Sequence, residues 1–214
     1  MDMSEFSFLD LIDFVRKIPL AALKCLIVGP ETKKIAVLGP VDSGKTELWY
    51  RLQYKKRSTV ETTNKSGIES FLLGIKEDFT PVYVESTEDI GGGNNFVSLY
   101  DKLVTEGTFV YFVLDITMIG SAEYKEQPLA QFYKILSNLG KLENKKGTGV
   151  KILATHIDEY SGDRSQAEKL VRDYFAPLEK CGVNCAELNV KLVNLKNASD
   201  IKEIREEVLK SVDK

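Results

Sequence analysis

"IAVLGPVDSGKTELWYRL", Ile35 to Leu52, sets four apolar residues before a glycine-rich turn, then a lysine, a threonine and a run of helical character. Gly39 to Thr46 satisfies the spacing G-x-x-x-x-G-K-[ST] in full, and it stands between a strand pattern and a helix pattern, as that motif requires. Glycines let the backbone curl until successive N–H groups converge on phosphate oxygens. The start of the helix adds the positive end of its dipole. In such a loop Asp42, Ser43, Gly44, Lys45, Thr46 and Glu47 form the cradle. Lys45 reaches the outer phosphates and the Thr46 hydroxyl ligates Mg²⁺. The stretch reads as a nucleotide phosphate site.

Outward from it, apolar runs alternate with helical patterns. "KIAVLG" reads as a strand, Lys45 to Tyr54 as a helix, and "SFLLGI" and "PVYVES" as two adjacent strands. Asn95 to Leu103 predicts a helix, "TFVYFVLD" a fully buried strand, and Gln127 to Leu142 a helix. "VKILATH" and "VKLVNL" complete the strands, with helices over Ser165 to Glu179 and Ile201 to Val212. Near-continuous apolar strands fit a sheet covered on both faces. The expected class is α/β: a three-layer, doubly wound domain over residues 31–214 with a mostly parallel six-stranded sheet. The polar, aperiodic stretch from Tyr54 to Ser70 predicts a long functional loop.

Residues 1–30 read as a separate helical extension. Phe8, Leu11, Ile12, Val15 and Ile18 recur at helical spacing, while Asp10, Asp13 and Lys17 share another face. The apolar stretch from Ile18 to Val28, interrupted by Lys24, is too short for a bilayer, which needs roughly 20 residues. The acidic start "MDMSEF" is unlike a secretory signal, and Asp2 stands where myristoylation needs glycine. Of 214 residues 43% are hydrophobic and 29% charged, the balance of a soluble globular chain. A formal charge of −3 argues against a nucleic-acid partner. Cys25, Cys181 and Cys185 form no Cys-x-x-Cys pair and read as thiols of a reducing cytoplasm.

From Lys33 to Lys210 the chain resembles the Ras-like small GTPases, within them the Arf-like and bacterial branch, and hence the P-loop NTPase fold. "ESTEDIGGGNNF" resembles the family's D-x-x-G loop in a D-x-G-G form. The resemblance implies that Asp89 holds Mg²⁺ and that the Gly92 N–H senses the γ-phosphate. "ILATHID" resembles the guanine-reading N-K-x-D loop in a T-H-x-D variant. Asp158 would accept from guanine N1 and N2, His156 would lie along the base, and Thr155 would replace asparagine. Asn194, Leu195 and Lys196 take the positions of the S-A-K loop. In the first-switch loop Thr63 is favoured as the Mg²⁺ ligand over Thr59, Thr62 and Ser66.

Where the family commonly carries a water-orienting glutamine, this chain has Gly93. Asn94 or Asn95 is one methylene shorter than that glutamine, and Arg57 is the one arginine in the switch segments. The expectation is a GTP/GDP- and Mg²⁺-binding switch, with Lys45, Gly92 and Asn94 as catalytic candidates and slow or partner-dependent turnover. A non-hydrolysing scaffold, a membrane-associated receptor-type subunit and an ATP-using phosphotransferase are the other readings. The resemblance implies an effector or activating protein as partner. Residues 4–28 resemble in position the membrane-docking helix of Arf-like proteins, but Arg16, Lys17 and Lys24 are offset by Glu5, Asp10 and Asp13, so docking on a membrane stands beside packing on the domain or on a partner protein.

Overall fold

Glu31–Leu38 (β1) carries its side chains to two sides. Ile35 and Val37 enter one apolar layer, Ala36 and Leu38 the other. The computed structural model describes residues 29–54, 66–77, 80–122, 124, 126–142 and 147–210. The predicted N-terminal helix and the first-switch threonines Thr59, Thr62 and Thr63 lie outside the described residues.

After β1 come Lys45–Leu52 (α1), Ser66–Ile68 (β2), Phe71–Ile75 (β3), Pro81–Val84 (β4) and Thr87–Asp89 (β5). A 3₁₀ segment Asn94–Leu99 runs into the single turn Tyr100–Leu103 (α2). Then follow Thr108–Asp115 (β6), Gln127–Gly140 (α3), Gly149–Thr155 (β7), Arg164–Phe175 (α4), Val190–Leu192 (β8) and Ala198–Lys210 (α5). The six-stranded sheet has the order β3-β4-β1-β6-β7-β8, parallel except for the edge pair β3–β4. This is the expected α/β fold.

The alternation of β6 shows how the layers form. Tyr111 and Val113 join Leu48, Trp49 and Leu52 of α1 and Ile201, Ile204 and Val208 of α5. Val110, Phe112 and Leu114 join Phe132 and Ile135 of α3 and Ala167, Val171 and Phe175 of α4. Phe132 lies 5.1 Å from Phe112 and 4.8 Å from Phe175, ring centre to ring centre, so one aromatic cluster ties both helices to the central strand. The order of the strands reverses beside β1, which leaves a crevice at its carboxyl end, where the glycine-rich turn sits.

Several elements depart from the sequence expectation. The predicted helix from Asn95 is mostly 3₁₀, because two asparagines and a β-branched valine are poor α-helix formers. The helix predicted to Glu179 is α-helical to Phe175 and continues as a 3₁₀ segment Ala176–Cys181, because Pro177 has no amide hydrogen to carry the α-helical ladder on. The Tyr54–Ser70 stretch includes β2, paired antiparallel with β5. That pairing holds Asp89 opposite Ser66. Among the described residues no helix is long and apolar enough to cross a membrane.

Candidate functional site

The turn after β1 depends on two glycines. Gly39 has φ +142°, and a Cβ there would lie 2.1 Å from the Val113 carbonyl oxygen of β6. Gly44 has φ +93° and packs against the Leu195 side chain, where a Cβ would stand 2.8 Å away. Both positions demand a residue without a side chain. The Ser43 hydroxyl donates to the Pro40 carbonyl at 3.0 Å, which closes the turn on itself.

Lys45 is buried at the first turn of α1, and its Nζ donates to the same Pro40 carbonyl at 2.5 Å. Burial pushes its ammonium down to about 8, against partial support from Asp89 and Asp42. Asp89, 2% exposed, shows the mirror image. Burial raises its carboxyl above the ordinary value, although the Thr46 hydroxyl and Lys45 oppose the shift. Thr46 Oγ1 donates to Asp89 Oδ2 at 2.6 Å, whereas Asp89 Oδ1 is buried with no hydrogen-bond partner among the described residues. A buried, half-satisfied carboxylate beside a hydroxyl is the donor set that a hard divalent cation takes when phosphates supply further oxygens. These residues therefore fit Mg²⁺.

A cavity of about 720 Å³ opens over this turn. Of the predicted residues, Asp42, Gly44, Lys45, Thr46, Glu47 and Gly92 line its end over the glycine-rich turn, and Thr155, His156, Asp158, Asn194, Leu195 and Lys196 its far end. Ser43 lies beneath the turn, fully buried, and Asp89 reaches the cavity through Thr46. Asn94 begins the 3₁₀ segment just past Gly93.

At the far end, β7 delivers Thr155. Its Oγ1 donates to the Ser43 carbonyl at 2.9 Å and lies 3.2 Å from the Leu114 carbonyl, which couples the two loops directly. His156 takes the left-handed conformation, φ 57°, and turns Nδ1 to within 3.2 Å of Asp115 Oδ2 and 3.0 Å of Thr155 Oγ1. Asp115 in turn accepts from the Thr117 amide and hydroxyl. Asp158, three residues past Thr155, accepts from Lys196 Nζ at 2.9 Å, and Lys196 also bonds Glu159. That contact holds the Asp158 carboxyl below the usual range. Asn194 caps its own loop, with Oδ1 on the Lys196 amide.

Gly92 rests directly on the glycine-rich turn. A Cβ there would fall 2.0 Å from the Pro40 carbonyl carbon and 2.1 Å from the Val41 nitrogen. Its own carbonyl accepts from both Gln127 and Gln131 of α3, each at 2.8 Å. Sequence reasoning missed these glutamines, as it missed Asp115 and the lining residues Ile90 and Phe96. Asp115 alone had a legible signal, its place at the carboxyl end of a parallel strand.

No protein-family model matches the chain, and no curated protein matches it in sequence. Among solved structures, the fold matches the mammalian SRP receptor at TM-score 0.58 and 16% identity, over 83% of this chain and 98% of that one. It also matches the bacterial selenocysteine-specific elongation factor EF-Sec at TM-score 0.55 and 17% identity, over 84% of this chain but only 29% of that longer one. At such identities the likeness is one of fold alone.

Proposed function

We propose that the chain is an Arf-like guanine-nucleotide switch, which binds GTP or GDP with Mg²⁺ and reports the γ-phosphate through its switch loops. The observation that carries the reading is the joining of the two ends of one cavity. Thr155 hydrogen-bonds the phosphate turn while its loop carries His156 and Asp158 toward the space a base would fill. Guanine offers N1–H and N2–H₂ to one carboxylate, a pairing adenine lacks, and Asp158 is the carboxylate at that end. In this reading Lys45 leaves the Pro40 carbonyl for the β- and γ-phosphates, which restore the charge that burial opposes. Thr46, Asp89 and a switch threonine, Thr63 by preference, hold the cation. When bound, Mg²⁺ would supply positive charge against the phosphates. The Gly92 amide meets the γ-phosphate.

Gly93 has no side chain to orient a water, which leaves Asn94 as the nearest candidate. Intrinsic hydrolysis is therefore slow, on the order of 10⁻⁴ to 10⁻³ s⁻¹ or below, the range of an unassisted small GTPase. An effector or activating protein is the implied partner, and residues 4–28 are proposed to dock on that partner or on a membrane. Single-turnover hydrolysis of the purified chain tests this. A rate of several per second without a partner contradicts it.

A non-hydrolysing GTP-binding scaffold or receptor-type subunit is the second reading, supported by the near-complete coverage of the SRP receptor chain. It differs from the first in predicting no conformational response to hydrolysis. Equal protease sensitivity of residues 55–70 and 90–100 with GDP and with a non-hydrolysable GTP analogue would select it.

A further inference from the structure

We propose that Gln127 and Gln131 are positioning residues that hold Gly92 in its γ-phosphate-ready place. The proposal rests on the switch reading above and adds a part to it. Gln127, Gln131 and Lys134 stand at i, i+4 and i+7 on α3 and so share one face. All three reach the segment after β5. The two glutamines donate to the Gly92 carbonyl, and Lys134 pairs with Asp101 at 2.7 Å.

A carbonyl oxygen has two lone pairs, and here two amides fill them. The peptide that joins Gly92 to Gly93 is therefore fixed from the side opposite the phosphate turn, against which the Gly92 Cα is already pressed. Gln131 is fully buried, and its Oε1 has no hydrogen-bond partner among the described residues. A buried amide left half satisfied is costly, and nothing in the apolar packing of Phe132 and Ile135 needs it. What it supplies is one hydrogen bond to Gly92. If Gly92 swung away from the turn, Gln131 would lose its partner in a place that water does not reach. The clamp thus biases the loop toward the docked position, in which Gly92 lies on the glycine-rich turn and lines the cavity. It favours triphosphate over diphosphate.

The test is the ratio of affinities for GTPγS and GDP, each with Mg²⁺, in the full chain. The variants are Gln131→Met, which keeps volume and removes the donor, and the half-exposed Gln127→Ala, which leaves the core untouched. Losing one hydrogen bond in the docked state lowers the ratio by about fivefold. The double variant lowers it further. Restoring an amide with Gln127→Asn recovers less than the parent, because the shorter side chain cannot span 2.8 Å contacts made by glutamine. An unchanged ratio in both single variants overturns the clamp, and so does an equal loss of both affinities. A parent chain that binds neither guanine nucleotide overturns the switch reading instead, and the clamp with it.

Discussion

Replacing Lys45 with methionine should stabilise the nucleotide-free chain while abolishing nucleotide binding. The ammonium loses its proton near 8 in the folded chain and near 10.5 when unfolded, because burial disfavours the charge. That difference disfavours folding by about 3 kcal/mol at neutral pH. Methionine also deletes the hydrogen bond to Pro40, but the Ser43 hydroxyl still serves that carbonyl. A net gain of about 2 kcal/mol remains, a rise in Tm of roughly 4–8 °C for a chain of this size. The sign with pH follows from the depressed value. The penalty is complete below about 8 and is relieved as pH climbs toward 10.5, so the gap between Lys45→Met and the parent narrows over that window. Trp49, the single tryptophan and fully buried, reports unfolding by its fluorescence after EDTA and phosphatase have stripped the nucleotide. A variant less stable than the parent at pH 7, or a gap constant from pH 7 to 10, would refute the reasoning.

Three further substitutions probe the turn, an open glycine for comparison, and the cation. Gly39→Ala puts a Cβ 2.1 Å from the Val113 carbonyl at φ +142° and should cost about 3 kcal/mol or more in denaturant midpoint titrations. Gly120→Ala, at φ +95° with nothing within 4 Å, meets strain alone and should cost about 1 kcal/mol. Asp89→Asn removes the buried carboxylate bonded to Thr46, so chelating Mg²⁺ should change GTP affinity less than twofold. In the parent, chelation should weaken it by about tenfold or more, equivalent to 1.4 kcal/mol. Equal dependence in both would remove Asp89 from the cation site.

The parts of this molecule that sequence revealed are those whose physics is local. "TFVYFVLD" is a continuous apolar run, and β6 occupies those eight residues because both faces are covered. The glycine–lysine turn declares itself because its backbone conformations and its charge must fall at fixed spacing. Ser66–Ile68 left no trace, since three residues with a central glycine carry no alternation. Gln127 and Gln131 resembled the solvated face of an amphipathic helix. Their partner is a backbone carbonyl 35 and 39 residues away, and a carbonyl has no letter in the sequence. The Asp115–His156 contact depends on strand register, Asp115 beside Thr155, which the fold supplies and the sequence does not.

One titration tests the central claim most directly: GTP against ATP on the stripped full chain with Mg²⁺, repeated on Asp158→Asn. Two hydrogen bonds to a carboxylate predict that GTP binds at least about 100-fold tighter, and that the substitution reduces the preference to about tenfold or less. Equal binding of both purines by the parent, or a preference that Asp158→Asn leaves intact, would contradict the assignment of the far end of the cavity to guanine.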